Sequence, residues 1–441
     1  MNMKKKLFQF SVIVLSSSML SCSSSEDVAE DLGEAKTTVN LLSDPQPVNL
    51  TQEQQVFAND NNIFTLGFLK TVNDVDKSGK SFIYSPLSIT YVLGMVNAAA
   101  TGQTEQELEQ TLGFHEGGIK AVNEYCKKLI DGLPKVDNQV TLNIANALFV
   151  NQNKATLKAQ YQQNMQQYYD AKAENLDFKS PTTLSTINGW ASDHTNGMIP
   201  KILDDIDPDV VTYLLNAIYF KADWASKFDE KNTKEEYFTT ENGSTKLPLM
   251  HQNVLINYFK NETYSAIEIP YGNNYWNMMV MLPEEGKTTD DIINRLDIFG
   301  FEWSVWCSTA GHYGFSPYEV DLKLPRFETN SDTDELKIDD GLIGLMKKMG
   351  IKLAFDSDFA EIPNMCEESS VYISMMRQKA AIKVNEEGSE AAAVTIAGAN
   401  FATAVPKEYP KATFHANRPF VYIIREVSSG VILFVGKFTG K

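Results

Sequence analysis

The sequence has few cysteines and histidines, and it lacks the short motifs that mark common enzyme sites. It contains 4 cysteines and 5 histidines in 441 residues. There is no Gly-x-Ser-x-Gly elbow, no phosphate-binding glycine-rich loop and no His-Glu-x-x-His pair. Cys126, Cys307 and Cys366 are widely and irregularly spaced, unlike a disulfide framework or a metal site. We therefore predict three unpaired, mostly buried thiols, and we expect no enzyme activity, cofactor or metal centre.

Positive charge is also scarce. The chain has 39 Lys+Arg against 57 Asp+Glu, which gives a net charge of −18 at pH 7. This excess argues against nucleic acid or an anionic lipid surface as a partner. The sequence shows no internal repeat, which argues against a repeat-built adhesin. Four lysines, Lys120, Lys127, Lys128 and Lys135, are interpreted as a solvated helix face rather than a glycosaminoglycan site.

No apolar run near the N-terminus is long enough to span a bilayer. The run from Leu7 to Leu15 follows three lysines and is typical of an export signal. The next segment, Met19 to Cys22, resembles a lipoprotein signal-peptidase site, although that pattern prefers leucine where Met19 stands. Lipidation of Cys22 would anchor an exported protein to the bacterial outer membrane, facing the periplasm or the cell surface. An ordinary cleaved signal peptide with an incidental cysteine is the alternative.

The remaining chain divides into a tether and one large domain. We predict a lipoprotein signal peptide at 1–21, a polar, acidic tether at 22–51 and a single domain at 52–441. Helices and strands mix without strict alternation in the domain, which predicts an α+β fold. A capping box at Thr104–Glu107 predicts the start of a helix. Strands are predicted at Thr141–Val150, Val211–Phe220, Ala266–Ile269, Trp276–Leu282, Val320–Leu324, Val421–Arg425 and Val431–Val435, the last two forming a hairpin.

One segment near the C-terminus has unusually small side chains. If it is a strand, its side chains alternate between two faces. Ser389, Ala391, Ala393, Thr395, Ala397 and Ala399 then share one face. A resident central strand would fill such a buried face with Val, Ile, Leu or Phe. The segment suits a strand that slides into a packed sheet, but an alanine-rich loop or helix fits the same spacing.

This segment resembles the hinge of inhibitory serpins, where Glu-Glu-Gly-Ser/Thr-Glu-Ala-Ala-Ala precedes the reactive-centre loop. Here the hinge reads Glu386, Glu387, Gly388, Ser389, Glu390, Ala391, Ala392, Ala393, Val394 and Thr395. Further serpin-like motifs follow the family's order at Phe82–Ile89, Asn188–Trp190, Thr195–Ile199, Leu215–Trp224, Leu324–Phe327, Met349–Ile351 and Phe414–Phe420. The resemblance covers the whole predicted domain. It implies a serpin fold with three β-sheets, eight or nine helices and an exposed reactive-centre loop.

The resemblance implies a monomeric, metastable inhibitor of serine proteases. The protease would attack the loop and form a covalent acyl-enzyme, after which the cleaved loop inserts into the large sheet. Counting from the hinge places the cleaved bond between Ala402 and Thr403, which suits elastase-like or subtilisin-like proteases. Cleavage after Phe401 or Val405 is the alternative. A non-inhibitory serpin that acts as a binding protein is the alternative function, although such members usually carry bulky or charged hinge residues.

The resemblance also implies residues that support the hinge and the sheet opening. They are Ser85, Ser88, Asn216, Trp224, Arg326 and Gln378. Gln378 occupies the position where serpins usually have a histidine, and its amide can both donate and accept hydrogen bonds. Arg326 is expected to form an exposed pair with Glu386, which would contribute about 0–1 kcal/mol.

Overall fold

The computed structural model describes residues 45–115, 117–241, 243–298, 314–336, 338–368, 371–389 and 408–441. Several predicted features lie outside the described residues: the signal peptide with Cys22, most of the tether, Cys307, the hinge from Glu390 to Thr395 and the candidate bonds at 401–405. Residues 45–51, the end of the predicted tether, contact the domain. The Gln46 N–H donates to Val136 O at 3.0 Å, and Val48 is buried.

Eight α-helices are present in the described residues, in agreement with the predicted eight or nine. They are α1 (Gln52–Val75), α2 (Pro86–Asn97), α3 (Gly102–Leu112), α4 (Gly118–Gly132), α5 (Ala159–Tyr169), α6 (Thr183–His194), α7 (Thr289–Ile298) and α8 (Gly341–Met349). The predicted capping box at Thr104 is wrong because α3 begins two residues earlier. The Thr104 hydroxyl is buried inside the helix and accepts the N–H of Glu361 at 3.0 Å.

Fifteen strands make up the sheets of the described residues, and seven of them overlap the seven predicted strands. They are β1 (Phe82–Tyr84), β2 (Val140–Asn151), β3 (Lys172–Leu176), β4 (Thr212–Asp223), β5 (Lys234–Thr240), β6 (Gly243–Lys260), β7 (Tyr264–Tyr271), β8 (Trp276–Pro283), β9 (Ser316–Pro325), β10 (Phe327–Asp332), β11 (Met375–Val384), β12 (Gly388–Ser389), β13 (Lys411–His415), β14 (Phe420–Glu426) and β15 (Ile432–Phe438). The predicted C-terminal hairpin is formed by β14 and β15.

Nine of these strands form one sheet, in the order β1-β15-β14-β8-β7-β6-β9-β13, with β5 paired to β6. Three sheets are predicted, whereas hydrogen bonding in the described residues gives two. The nine-stranded sheet is continuous because β6 is 18 residues long. It pairs with β5 and β9 over most of its length and with β7 at its C-terminal end. The α+β class is confirmed, and the described residues contain two sheets, one of nine strands and one of six.

The other six strands form a sheet in the order β10-β11-β12-β4-β2-β3. Its centre is unusual because β11 and β4 are parallel and pair only from Met375↔Tyr213 to Lys379↔Ala217. At the far end of the same two strands, the two-residue β12 lies between them. The two central strands are therefore joined at one end of the sheet and separated by another strand at the opposite end.

The central strand β4 is buried on both faces. Leu214, Ile218 and Phe220 belong to the main core, and Leu215 and Ala217 belong to a second cluster beneath α6. A strand covered on both faces is expected to read as a continuous apolar run, as β4 does. The sheet is thus enclosed at β4, and a new strand beside β4 would enter a packed interior.

Candidate functional site

The candidate site is the end of the six-stranded sheet where β4 and β11 separate. The hinge segment, Asn385–Ser389, turns back from β11 and enters this opening. Its turn is held by the Asn385 side-chain carbonyl, which accepts the N–H groups of Glu387 at 3.0 Å and Gly388 at 3.2 Å. Asparagine commonly stabilises turns in this way. The chain then runs antiparallel to both neighbours as β12.

Gly388 passes very close to β4. A Cβ atom built on this glycine would lie 2.0 Å from the carbonyl oxygen of Ala222 and 2.6 Å from the Cα atom of Asp223. Both contacts are to backbone, so no side-chain rotation could relieve them. Only glycine therefore allows the chain to enter the sheet at this point.

Ser389 is fully buried between the two sheets. Its hydroxyl lies 2.7 Å from the hydroxyl of Tyr271, which belongs to β7. The Tyr271 ring stacks on Trp224, with centroids 4.3 Å apart and an interplanar angle of 11°. The Trp224 indole N–H donates to Asn385 O at 2.9 Å, and its backbone N–H donates to Glu387 O at 2.8 Å. Trp224 thus binds the hinge segment through both its ring and its backbone.

Glu386 is held by Arg326 in a bidentate pair. The guanidinium Nε donates to Oε2 at 3.1 Å and Nη2 donates to Oε1 at 2.6 Å, while the hydroxyl of Thr233 donates to Oε1 at 2.5 Å. The expectation of an exposed pair is wrong for the carboxylate, whose side chain is only 4% exposed. Burial acts to raise the pKa of Glu386, but the bonds from Arg326 and Thr233 outweigh it and lower the pKa.

Glu387 continues this ionic contact on the other side of the turn. Its carboxylate pairs with Lys227, which also pairs with Asp223 at 2.8 Å. The backbone N–H of Phe228 donates to Glu386 O at 3.0 Å. The segment that follows β4 therefore contacts the hinge through side-chain ion pairs and through backbone hydrogen bonds.

A buried polar network lies where β4 and β11 are still paired. Gln378 is fully buried, and its Oε1 accepts the Ser85 N–H at 3.0 Å while its Nε2 donates to Ser85 O at 2.9 Å. Nε2 also lies 3.4 Å from Oδ1 of Asn216. The Ser85 hydroxyl donates to Leu433 O at 2.7 Å and lies 3.2 Å from the Ser88 hydroxyl. The structure brings these four predicted residues together; their part in strand opening stays a prediction.

Some contacts of the hinge were not anticipated from the sequence. Tyr271, Lys227, Thr233 and Phe228 all touch the hinge segment, and they come from β7 and from the connection after β4. A tyrosine in an apolar strand reads as an ordinary core residue, and a lysine after a strand reads as a surface residue. The only available signal was the phenolic hydroxyl of Tyr271, which needs a partner when it is buried.

The described residues contain no group of three or more His, Cys, Asp or Glu side chains that could hold a metal ion. Within the same residues, no helix has the length and apolar character required to cross a membrane. Cys126 and Cys366 are free and buried. The contacts at the candidate site are backbone pairs, ion pairs and a bond between two buried hydroxyl groups.

Comparisons with known proteins agree with this geometry. One family, described as Serpin (serine protease inhibitor), matches residues 59–440. Serpin B11 of Homo sapiens is 30% identical over 398 residues, covering 85% of this chain and 96% of that protein. An uncharacterized serpin-like protein of Thermococcus kodakarensis is 30% identical over 379 residues, covering 85% and 84%. The crystal structure of the thermophilic serpin tengpin in its native state has a TM-score of 0.76 at 26% identity, covering 89% of this chain and 95% of that chain.

Proposed function

Because this chain belongs to the serpin family, we propose that it inhibits serine proteases by suicide-substrate trapping. The protease cleaves the reactive-centre loop and forms a covalent acyl-enzyme with it. The freed loop then inserts between β4 and β11 as a new strand, and carries the bound protease along. Strand addition to a sheet is an established mode of recognition, which here occurs within one molecule.

The observation that supports this proposal is the position of Gly388 and Ser389. They already form a two-residue strand between β4 and β11, so the docked hinge marks the start of an insertion path. Each backbone hydrogen bond added along that path contributes about 0.5–1.5 kcal/mol. Continued insertion of a small-residue segment would therefore release free energy without large side chains to accommodate.

The target class follows from the residue before the cleaved bond. Ala402 at that position, with Thr403 after it, favours an elastase-like or subtilisin-like protease with a small specificity pocket. Lipidation at Cys22 would hold the inhibitor at the outer membrane of the bacterium, where it would meet exported or foreign proteases. The membrane is then a partner only through this anchor, and the inhibitor acts as a monomer.

Incubation of the full chain, purified in mild detergent, with neutrophil elastase, subtilisin and chymotrypsin tests the proposal. Denaturing electrophoresis would detect a covalent complex, and mass spectrometry would identify the released C-terminal peptide. A complex that resists denaturation, with a peptide beginning at Thr403, would support both the inhibition and the bond. A peptide beginning elsewhere in 402–406 would relocate the bond. Cleavage by all three proteases without any complex would favour the non-inhibitory alternative.

A further inference from the structure

A short segment of chain, residues 45–51, docks on the domain before α1 begins, and we call it the strap. The Gln46 N–H donates to Val136 O at 3.0 Å, and the Val48 N–H donates to the Ser428 hydroxyl at 3.0 Å. The Val48 side chain is buried in the main core cluster. The chain that precedes the strap therefore joins the domain at a fixed place.

The first strap contact lies at the hinge end of the six-stranded sheet. Asp137, which follows the acceptor of this contact in the chain, accepts the Asn273 N–H at 2.6 Å. The N–H of Gly272 in the same turn donates to Asp223 O at 2.9 Å. Asp223 lies opposite Gly388 of β12. A short series of hydrogen bonds thus connects the strap to the hinge.

The second strap contact lies at the same end. It is made to Ser428 in the turn between β14 and β15, where the Val427 N–H donates to Tyr275 O at 2.8 Å. The ring of the next residue, Trp276, lies 5.5 Å from that of Phe220. Phe220 is two residues before the part of β4 that pairs with β12. Both contacts therefore place the strap beside the hinge.

The opposite end of the sheet is about 33 Å away, since about ten residues at 3.3 Å each separate Thr212 from Ala222 on β4. Asp209 lies just before β4 at this far end, and its side chain is 94% exposed. Because β12 runs antiparallel to β4, a strand that continues from β12 extends from Ala222 towards Thr212. Insertion would thus move the cleaved end of the loop away from the strap.

We propose that the lipid-anchored protein presents its reactive-centre loop towards the membrane and traps serine proteases that act at the membrane surface. Cys22 and Gln46 are about 24 residues apart, which limits their separation to about 85 Å. The anchor therefore holds the strap, and the hinge beside it, nearer to the bilayer than the far end. Insertion carries the trapped protease away from the membrane. This inference rests on the proposed lipidation of Cys22 and on the proposed inhibition.

Energy transfer to the bilayer tests the orientation. The lipidated full chain is placed in vesicles of phosphatidylethanolamine and phosphatidylglycerol that contain a trace of rhodamine-labelled lipid. A donor dye is attached at Lys231→Cys, an exposed position in the connection that contacts the hinge, or at Asp209→Cys. Both variants carry Cys307→Ser, and Cys126 and Cys366 are buried. We expect transfer from position 231 to be at least about twofold more efficient, given the 33 Å between the two ends.

The outcomes separate the orientation from the anchor and from inhibition. Cys22→Ser is the control and should abolish transfer at both positions. Equal transfer from positions 231 and 209 of the lipidated chain, or stronger transfer from 209, would overturn the orientation and leave the anchor standing. No transfer from either position would refute the anchor at Cys22, and this inference with it, but not the inhibition, which the incubation with free proteases tests.

The preference for proteases at the membrane is tested with subtilisin coupled to the lipid headgroups of the same vesicles. The matched control inverts the domain: the Cys22→Ser, Cys307→Ser protein is coupled through Asp209→Cys to a maleimide lipid. We expect the natural anchor to trap coupled subtilisin at least about tenfold faster, because effective concentration depends on whether the geometry permits engagement. Free subtilisin should react equally with both forms. Equal trapping of the coupled protease would overturn the preference, and no trapping in either form would refute the proposed inhibition.

Discussion

The hydroxyl groups of Tyr271 and Ser389 lie 2.7 Å apart in the interior of the protein. Tyr271 belongs to the nine-stranded sheet and Ser389 to the six-stranded sheet, so this bond connects the two sheets at the hinge. Burial raises the pKa of Tyr271 well above its ordinary value, so the phenol stays neutral. A buried hydroxyl without a partner costs about 1–3 kcal/mol. Each hydroxyl therefore stabilises the docked position of the other.

A charged residue at position 389 should convert the inhibitor into a substrate. Ser389→Glu would place a carboxylate in a fully buried site, and an unpaired buried charge is far more costly than a buried hydroxyl. We expect the moles of inhibitor consumed per protease to rise at least about tenfold, equivalent to about 1.4 kcal/mol. Titration of protease activity against inhibitor measures this ratio. Ser389→Ala is small and uncharged and removes only the bond to Tyr271, so it should raise the ratio far less than Ser389→Glu; equal ratios for the two variants would contradict the prediction.

Removal of the Tyr271 hydroxyl should loosen the hinge without unfolding the domain. Tyr271→Phe keeps the ring stacked on Trp224 but leaves Ser389 without its partner. We expect the hinge to lose about 1 kcal/mol of docking free energy, so that backbone amides near 389 exchange with deuterium about fivefold faster. Exchange followed by mass spectrometry of a peptide that contains Ser389 measures this. Tyr237→Phe, at an exposed ring, is the control and should show wild-type exchange.

Replacement of Gln378 should destabilise the paired part of the sheet. Gln378→Leu has nearly the same size, but it leaves the N–H and C=O of Ser85 without their partner in a fully buried position. We expect a loss of about 2–4 kcal/mol in the free energy of unfolding, measured by urea denaturation. Gln378→His can restore a donor and an acceptor, and should recover part of the loss. A Leu variant as stable as wild type would show that this network contributes nothing.

The docked part of the hinge, Glu386–Ser389, could be predicted because it matches a motif of the family. Gly388 is needed where β12 passes the backbone of Ala222, and the pairing of Glu386 with Arg326 follows from two charged residues at matching motif positions. Seven of the fifteen strands could also be predicted, since a strand such as β4, buried on both faces, has a continuous apolar sequence.

The remaining features depend on contacts between distant segments. Thr104 fits a capping box, but its hydroxyl accepts the N–H of Glu361, which is distant in the sequence. The nine-stranded sheet is continuous because β6 pairs with both β7 and β9, and no short motif encodes this pairing. Asp204 pairs with Arg377 of β11 only because the connection between α6 and β4 lies against that strand. Tertiary placement, rather than residue type, decides each of these cases.

Acidic pH should release the hinge segment. The ordinary pKa of Glu386 is 4.5, and the bonds from Arg326 and Thr233 hold it lower in the folded, docked state. A lowered carboxyl pKa stabilises docking above pH 4.5, and this contribution disappears as the pH falls through the folded value. Deuterium exchange of the peptide that contains Glu386 should therefore accelerate below about pH 4.5 relative to exchange in the core, after correction for intrinsic rates.

Glu386→Gln provides the matched control for this pH dependence, because the amide keeps the shape of the side chain but cannot ionise. The variant should lose the charge-assisted part of its bonds to Arg326, which is stronger than a neutral hydrogen bond. Its hinge should then exchange faster than wild type at pH 7, and the difference should vanish once acid has protonated Glu386. If wild type and variant share the same pH profile, another group governs the hinge. If the variant exchanges like wild type at pH 7, the Arg326 pair does not hold the docked state.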